Sequence, residues 1–226
     1  MAIAFFDLDK TLLAVNSASL WVKNELALGH LRKRDALRAF AWLVRYEMGF
    51  AAAENLVAAA VEHLKGSSSI DLRDRTRQFY DLQIRHLVRS GALQAVERHR
   101  RAGDKLVLLT SSSNYMSELV KADLNFDETL CNRLEVDDRN RHTGRVVGPI
   151  CFGDGKLFYA RAAAERASVS LIHCTFYTDS YSDLSVLEKV GFPVAVNPDP
   201  RLRRAAAKRR WSIVDWGAPQ IVSQSS

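Results

Sequence analysis

Ala2-Ile3-Ala4-Phe5-Phe6-Asp7-Leu8-Asp9-Lys10-Thr11-Leu12 opens the chain. Five apolar residues run without a break and then meet two acids, which predicts a buried strand emptying into a polar loop. From Asn16 to about Val88 the rhythm changes to the helical one. Apolar residues recur at Leu20, Trp21, Leu26 and Leu28, then at Leu37, Phe40, Ala41 and Val44, then at Leu56, Ala59, Ala60 and Leu64. Gly29, Gly49 and the Gly-Ser-Ser-Ser of residues 66–69 punctuate this block. After Gly91 strands and helices alternate. Strands are expected at 105–109, 174–178, 193–196 and 212–214, with helices at 114–121, 155–167, 182–189 and 199–209. Residues 132–136 and 145–147 read as a hairpin. Such alternation indicates a mostly parallel sheet covered on both faces. The expected architecture is α/β, a Rossmann-like parallel-sheet core with an inserted all-helical cap. The core takes residues 1–15 and 89–226, and the cap takes 16–88.

In sheets of this kind ligands gather at the carboxyl ends of the strands. Asp7 and Asp9 follow the first strand. Thr110 and Ser111–Ser113 follow the strand at 105–109, and Asp179 and Asp183 follow the strand at 174–178. Lys156 opens a helix after Gly153-Asp154-Gly155. Carboxylates, hydroxyls and an ammonium thus converge on one edge. Asp7 and Asp9 are two apart, so they point the same way wherever strand geometry persists. Hard oxygen ligands of this kind suit Mg²⁺ together with water and a substrate phosphate. An aspartate can attack phosphorus, and a lysine, a hydroxyl and backbone amides can steady the charge of a phosphoryl group. A second carboxyl can protonate the leaving alkoxide and then deprotonate water.

Asp7-Leu8-Asp9-Lys10-Thr11-Leu12 resembles the first motif of the haloacid dehalogenase (HAD) superfamily, DxDx[TV]L. Thr110 after Leu106–Leu109 resembles its second motif, Lys156 its third, and Asp179-Ser180-Tyr181-Ser182-Asp183 its fourth. The helical insert between the first and second motifs resembles subfamily IB, the group around phosphoserine phosphatase, with its C1-type cap. That resemblance implies a Mg²⁺-dependent phosphatase with Asp7 as nucleophile and Asp9 as general acid/base. Asp7, the Asp9 carbonyl and Asp179 would bind the metal, supported by Asp183. Thr110 and Lys156 would hold the phosphoryl group, with Ser111 and Ser112 beside it. Asn16 stands where phosphoserine phosphatases carry the glutamate that grips the substrate's amino group, which points away from phosphoserine itself. Ser111-Ser112 replaces their glycine pair, and Thr178 replaces the glycine before the fourth-motif aspartate. On the cap, Arg45 and Tyr46 are placed to reach a substrate, while Trp21, Trp42 and Phe40 at helical spacing read as cap core.

The wider composition limits the alternatives. With 47% hydrophobic and 26% charged residues over 226 positions, the chain is an ordinary globular one. No apolar run approaches the ~20 residues of a membrane span, and the N-terminal stretch lacks the basic start of a signal peptide. Cys131, Cys151 and Cys174 show no CxxC spacing and read as reduced thiols, so a cytoplasmic protein is expected. The net charge of +6 sits on helix faces such as Arg201–Arg210 and reads as solvated surface, with no nucleic-acid partner expected. The partner implied is a small phosphomonoester selected by the cap. Two alternatives stand beside it: a lipid-phosphate phosphatase working at a membrane surface, and a non-catalytic metal- or phosphate-binding module.

Overall fold

The computed structural model describes residues 2–35, 37, 41 and 53–219. Its centre is strand β1 (Ile3–Phe6), in which every residue is buried. Around it stand β2 (Lys105–Ser113), β3 (Glu128–Asn132), β6 (Thr175–Thr178), β7 (Phe192–Val196) and β8 (Ser212–Val214). They form one six-stranded sheet in the order β3-β2-β1-β6-β7-β8, and every neighbouring pair is parallel. The alternation of side chains along β1 divides the core in two. Ala4 and Phe6 face α4 (Ser90–Arg101) and α5 (Asn114–Leu124), through Ala92, Ala95, Val96, Met116 and Val120. Ile3 and Phe5 face the other layer, α6 (Asp154–Arg166) and α8 (Pro200–Arg209), through Leu157, Ala160, Leu202 and Ala206. A strand covered on both sides has no polar face, which is why its sequence does not alternate.

The chain leaves the sheet after β1 and returns at Val88. Leu13 and Val88 pair in antiparallel fashion at that crossing. Ala14 N–H donates to Leu87 O at 2.9 Å, and Arg89 N–H donates to Leu12 O at 2.9 Å. Between these two points lie α1 (Ser17–Ala27), α2 (Ala53–Glu62) and α3 (Ser69–Phe79), with no strand of the sheet among the described residues. Asn16 caps α1 by accepting from Ser19 N–H, and Ser68 caps α3 by accepting from Asp71 N–H. Phe79, Tyr80 and Ile84 pack into the same cluster as Leu8 and Leu12, so the returning segment is built onto the core.

Three local expectations are corrected: the end of the strand expected at 105–109, the hairpin, and the helix at 182–189. β2 runs on through Thr110 to Ser113. β1 ends at Phe6, as the apolar run predicts, so the strand geometry on which a shared direction of Asp7 and Asp9 depends stops before them. Residues 8–12 make a wide turn in which Leu13 N–H reaches Leu8 O at 2.9 Å and Lys10 takes a positive φ of 57°. The hairpin is β4 (Leu134–Val136) with β5 (His142–Val146), while Glu128–Asn132 is a separate parallel edge strand. Edge-strand pairing with β2, Val107 beside Glu128 and Leu109 beside Leu130, decides that division. The helix expected at 182–189 is a single turn at 181–183 followed by the short α7 (Leu184–Leu187).

The β4–β5 hairpin is tied to the insert. Gly66 N–H donates to His142 O at 2.8 Å, His142 N–H donates to Ser67 O at 3.0 Å, and Ser69 N–H donates to Asn140 O at 2.9 Å. Val61, Leu72, Tyr115 and Leu134 close a small apolar cluster beneath this contact.

Candidate active site

Parallel register brings the strand ends to one height. Phe6 lies beside Leu108 on β2 and Tyr177 on β6, so Asp7 emerges between the Leu109–Thr110 step and Thr178. Asp7 N–H still donates to Tyr177 O at 2.9 Å, which holds its Cα in the sheet while its carboxyl turns to the edge. Asp7, Lys156, Asp179 and Asp183 are all buried.

Lys156 is the hub of the cluster. Its Nζ lies 3.0 Å from Asp7 Oδ1 and 2.8 Å from Asp183 Oδ2. It reaches there because α6 begins where the chain can approach closely. Gly153 takes a φ of 51°, a conformation that suits glycine. A Cβ on Gly155 would stand 1.8 Å from Ile150 O, so only glycine fits that position. Asp183 Oδ2 also accepts from Thr178 Oγ1 at 2.6 Å. Asp183 therefore makes no side-chain helix cap and serves the lysine instead. Its other oxygen, Oδ1, is buried without a protein partner among the described residues.

Asp179 is held by a hydroxyl on the opposite loop. Thr11 Oγ1 accepts from Asp179 N–H at 2.9 Å and donates to Asp179 Oδ1 at 3.1 Å. Thr11 and Thr178 are the working residues that sequence reasoning missed. Thr11 stands inside the first motif and Thr178 takes the place of the fourth-motif glycine, but neither position by itself signals a bond across the site. Asp9 is half-buried, and its Oδ1 accepts from Ser17 N–H at 2.6 Å, which ties the loop to the first residue of α1. Thr110 is buried within the carboxyl half of β2, and its hydroxyl accepts from Ser112 N–H at 3.1 Å. Asn132 Nδ2 donates to Ser111 O at 2.7 Å and steadies the loop from β3.

Asp7, Asp9, Thr110, Ser111, Ser112, Lys156, Asp179 and Asp183 are therefore brought to one edge. Asn16 lines the adjoining cavity while its Oδ1 caps α1. Arg45, Tyr46, Trp42 and Phe40 lie outside the described residues. Trp21 packs edge-on against Phe79 at 5.2 Å, a core contact, and also borders the cavity.

The electrostatics favour a cation. Burial pushes the Asp7 carboxyl up to about 7, against the pull of Lys156. Burial and then the Asp7 charge hold Asp179 well above the usual carboxylate range. Burial also raises Asp9, opposed by its bond from Ser17. Positive charge beside Asp7, Asp9 and Asp179 would favour their ionised forms. Among the described residues no three acidic, imidazole or thiol side chains converge as a closed metal cage. Mg²⁺ requires none, since it takes one or two carboxylates and keeps water for its other positions. Asp7 and Asp179, close enough for the charge of one to raise the other, fit that requirement.

The profile of the haloacid dehalogenase-like hydrolases matches residues 4–188, from β1 through the Asp179–Asp183 loop. The chain belongs to this family. Within the HAD hydrolases it is a phosphoserine-phosphatase-like enzyme. It is 32% identical over 219 residues to a Mycobacterium tuberculosis protein named phosphoserine phosphatase SerB1, covering 95% of this chain and 71% of that one. A Bordetella pertussis protein of unknown function superposes with a TM-score of 0.86 at 28% identity, over 96% of this chain and 99% of that one. A phosphoserine phosphatase solved as a phospho-aspartyl intermediate analogue superposes with a TM-score of 0.72 at 18% identity, over 96% and 94% of the two chains, and shares the HAD fold. Membership in a hydrolase family displaces the reading of a non-catalytic binding module.

Proposed function

We propose that this HAD enzyme is a Mg²⁺-dependent phosphomonoesterase that works through an aspartyl-phosphate on Asp7. The observation that carries the reading is Lys156 Nζ held between Asp7 Oδ1 and Asp183 Oδ2, in a buried cluster at the strand ends. A nucleophilic carboxylate needs its charge kept close to phosphorus, and a buried ammonium beside it also receives the phosphoryl oxygens.

In the first step an Asp7 carboxylate oxygen attacks phosphorus and the ester P–O bond breaks. Asp9 gives its proton to the leaving alkoxide, and the alcohol departs. Asp9 then takes a proton from water, whose oxygen attacks the aspartyl-phosphate, releasing phosphate and restoring Asp7. Lys156, the Thr110 hydroxyl and the backbone amides of Ser111 and Ser112 hold the phosphoryl oxygens through both displacements. Asp183 keeps Lys156 in place. Asp7, Asp179 and the Asp9 carbonyl would hold Mg²⁺, which when bound offsets negative charge between the carboxylates and the phosphoryl group.

The cap is proposed to be residues 16–88, with 1–15 and 89–226 as core, supported by the Leu13–Val88 crossing. Asp9 is bonded to Ser17 at the start of that insert, so the acid/base group would respond to the cap's position. The partner is a small phosphomonoester, and the buried free thiols support a reducing cytoplasm as the working compartment. No helix among the described residues is long and apolar enough to cross a membrane.

The test is phosphate release from a panel of phosphomonoesters in Mg²⁺ and then in excess EDTA. Release is expected with Mg²⁺ and is expected to cease with EDTA. Asp7→Asn should lower turnover by on the order of 10³-fold or more, because an amide is a poor nucleophile. Near-normal turnover in that variant would remove the covalent mechanism.

A further inference from the structure

A cavity of about 350 Å³ opens from the catalytic edge into the space between α1, α2 and α3. Asp9, Ser111 and Ser112 form its mouth towards the cluster. Deeper in, the walls are Trp21, Val57, Val61, Leu64, Met116 and Leu134. Asp9 is the one charged side chain among the described residues that line it.

Three polar side chains of its walls are already engaged, and the serines stand at the mouth beside the catalytic edge. Thr76 Oγ1 donates to Leu72 O at 2.7 Å, and Asn16 Oδ1 accepts from Ser19 N–H at 2.9 Å. Asn132 donates to Ser111 O at 2.7 Å and accepts from Cys151 N–H at 2.8 Å. Arg75, a nearby cation that is not among the lining residues, lies over Trp21 and is paired with Glu25. A substrate carboxylate entering this space would find no cation among the described lining residues, and burying a charge without a partner is costly.

Resting on the phosphomonoesterase reading, we infer that the substrate is the phosphate ester of an uncharged alcohol with an apolar aliphatic or aromatic body. The phosphate lies at Asp7 and Lys156, and the carbon body fills the cavity between the insert helices. The volume is at the lower end for small-molecule sites, so it accepts a ring or one short chain. Phosphoserine, with an ammonium and a carboxylate on three carbons, suits these walls poorly.

The test has a turnover arm and a binding arm. In the first, phosphate release with Mg²⁺ is compared for methyl, propyl, hexyl and dodecyl phosphate and for phosphoserine. In the second, calorimetry compares methyl-, propyl- and hexylphosphonate with 2-amino-3-phosphonopropionate. Both kcat/KM and affinity should rise about fourfold per methylene as chains lengthen, the ratio that burying one CH₂ gives, and then flatten by dodecyl. Propyl phosphate should exceed phosphoserine at least about tenfold in kcat/KM, although serine is the better leaving group. Val57→Asp, at a half-buried wall position, should reduce the rise per methylene below about twofold. Val57→Leu should bring the plateau to a shorter chain. Phosphonate affinity that climbs with chain length while no ester turns over would support the apolar subsite and overturn the phosphatase reading. Phosphate release with no chain-length dependence in either arm, or phosphoserine matching propyl phosphate, would overturn the inference and leave the phosphatase reading intact.

Discussion

Thr178→Val removes one hydroxyl from the floor of the site and keeps the shape of the side chain. Thr178 closes β6, is fully buried, and donates at 2.6 Å to Asp183 Oδ2. That oxygen also accepts from Lys156, and the other Asp183 oxygen has no protein partner among the described residues. Valine therefore leaves a buried carboxylate with the lysine alone. A hydrogen bond to a charged group contributes about 1.5–3 kcal/mol, so a loss of about 2 kcal/mol in stability is expected. For a chain of this size that lowers Tm by roughly 4–8 °C. Asp183 also positions Lys156 against Asp7, and a displacement near 1 Å at such a group costs on the order of 10²-fold in rate. kcat should fall between about 10- and 100-fold. Thr178→Ser, which restores the donor, should recover most of both losses. Thermal unfolding by circular dichroism and phosphate-release kinetics on the three proteins measure this. A valine variant melting within about 1 °C of the native protein and turning over within about twofold of it would refute the argument. Lost stability with full activity would refute the positioning part alone.

Three further outcomes follow from other contacts. Gly155→Ala should destabilise the fold by about 1–3 kcal/mol or more, seen as a lower urea midpoint, because the new Cβ meets Ile150 O at 1.8 Å; an unchanged midpoint would contradict that geometry. Asp9→Asn should cut kcat about 10²–10⁴-fold on an alkyl phosphate and much less on p-nitrophenyl phosphate, whose leaving group needs no proton; equal losses would argue against Asp9 as the acid. Burial holds His142 below its ordinary value of 6.5, against the raising effect of its backbone bond with Ser67. The unfolded chain thus binds the proton more readily, so this contribution to stability is full above about pH 6.5 and is lost as pH falls towards the lowered value. Urea midpoints at about pH 7.5 and 5.5 should separate more for the native protein than for His142→Gln, and equal separation would remove His142 from the pH response.

The stretch from Ala2 to Leu12 carries its structural meaning locally. A five-residue apolar run rich in bulky side chains and followed at once by acids favours a buried strand that ends at a polar edge, and β1 is that strand. Thr110, Lys156, Asp179 and Asp183 were legible for a related reason. Lys156 opens a helix, Asp179 and Asp183 follow β6, and Thr110 sits in the carboxyl half of β2, which runs on past its expected end; parallel strands in one sheet deliver such positions to the same side. The division of residues 128–147 was not legible. Glu128–Asn132 and Leu134–Val136 are both short and β-forming, and only pairing with β2 or β5 tells them apart. Asp9 shares a direction with Asp7 only where strand geometry persists, and β1 stops at Phe6. The turn at 8–12 places it instead, and the bond from Ser17 holds it.

By itself the sequence determined the alternation of strands and helices, the long helical interruption after β1, and the order in which acids, hydroxyls and lysine reach the sheet edge. These follow from periodicity, turn chemistry and spacing, which act between near neighbours. Only the tertiary structure decided that Lys156 bridges Asp7 and Asp183, that Thr11 serves Asp179 from 168 residues away, and that Ser67 meets His142 across 75 residues. It alone decided that the space behind Asp9 is walled largely by apolar side chains of the insert helices. Such contacts depend on strand order and on which helix faces meet, and no local pattern along the chain encodes either.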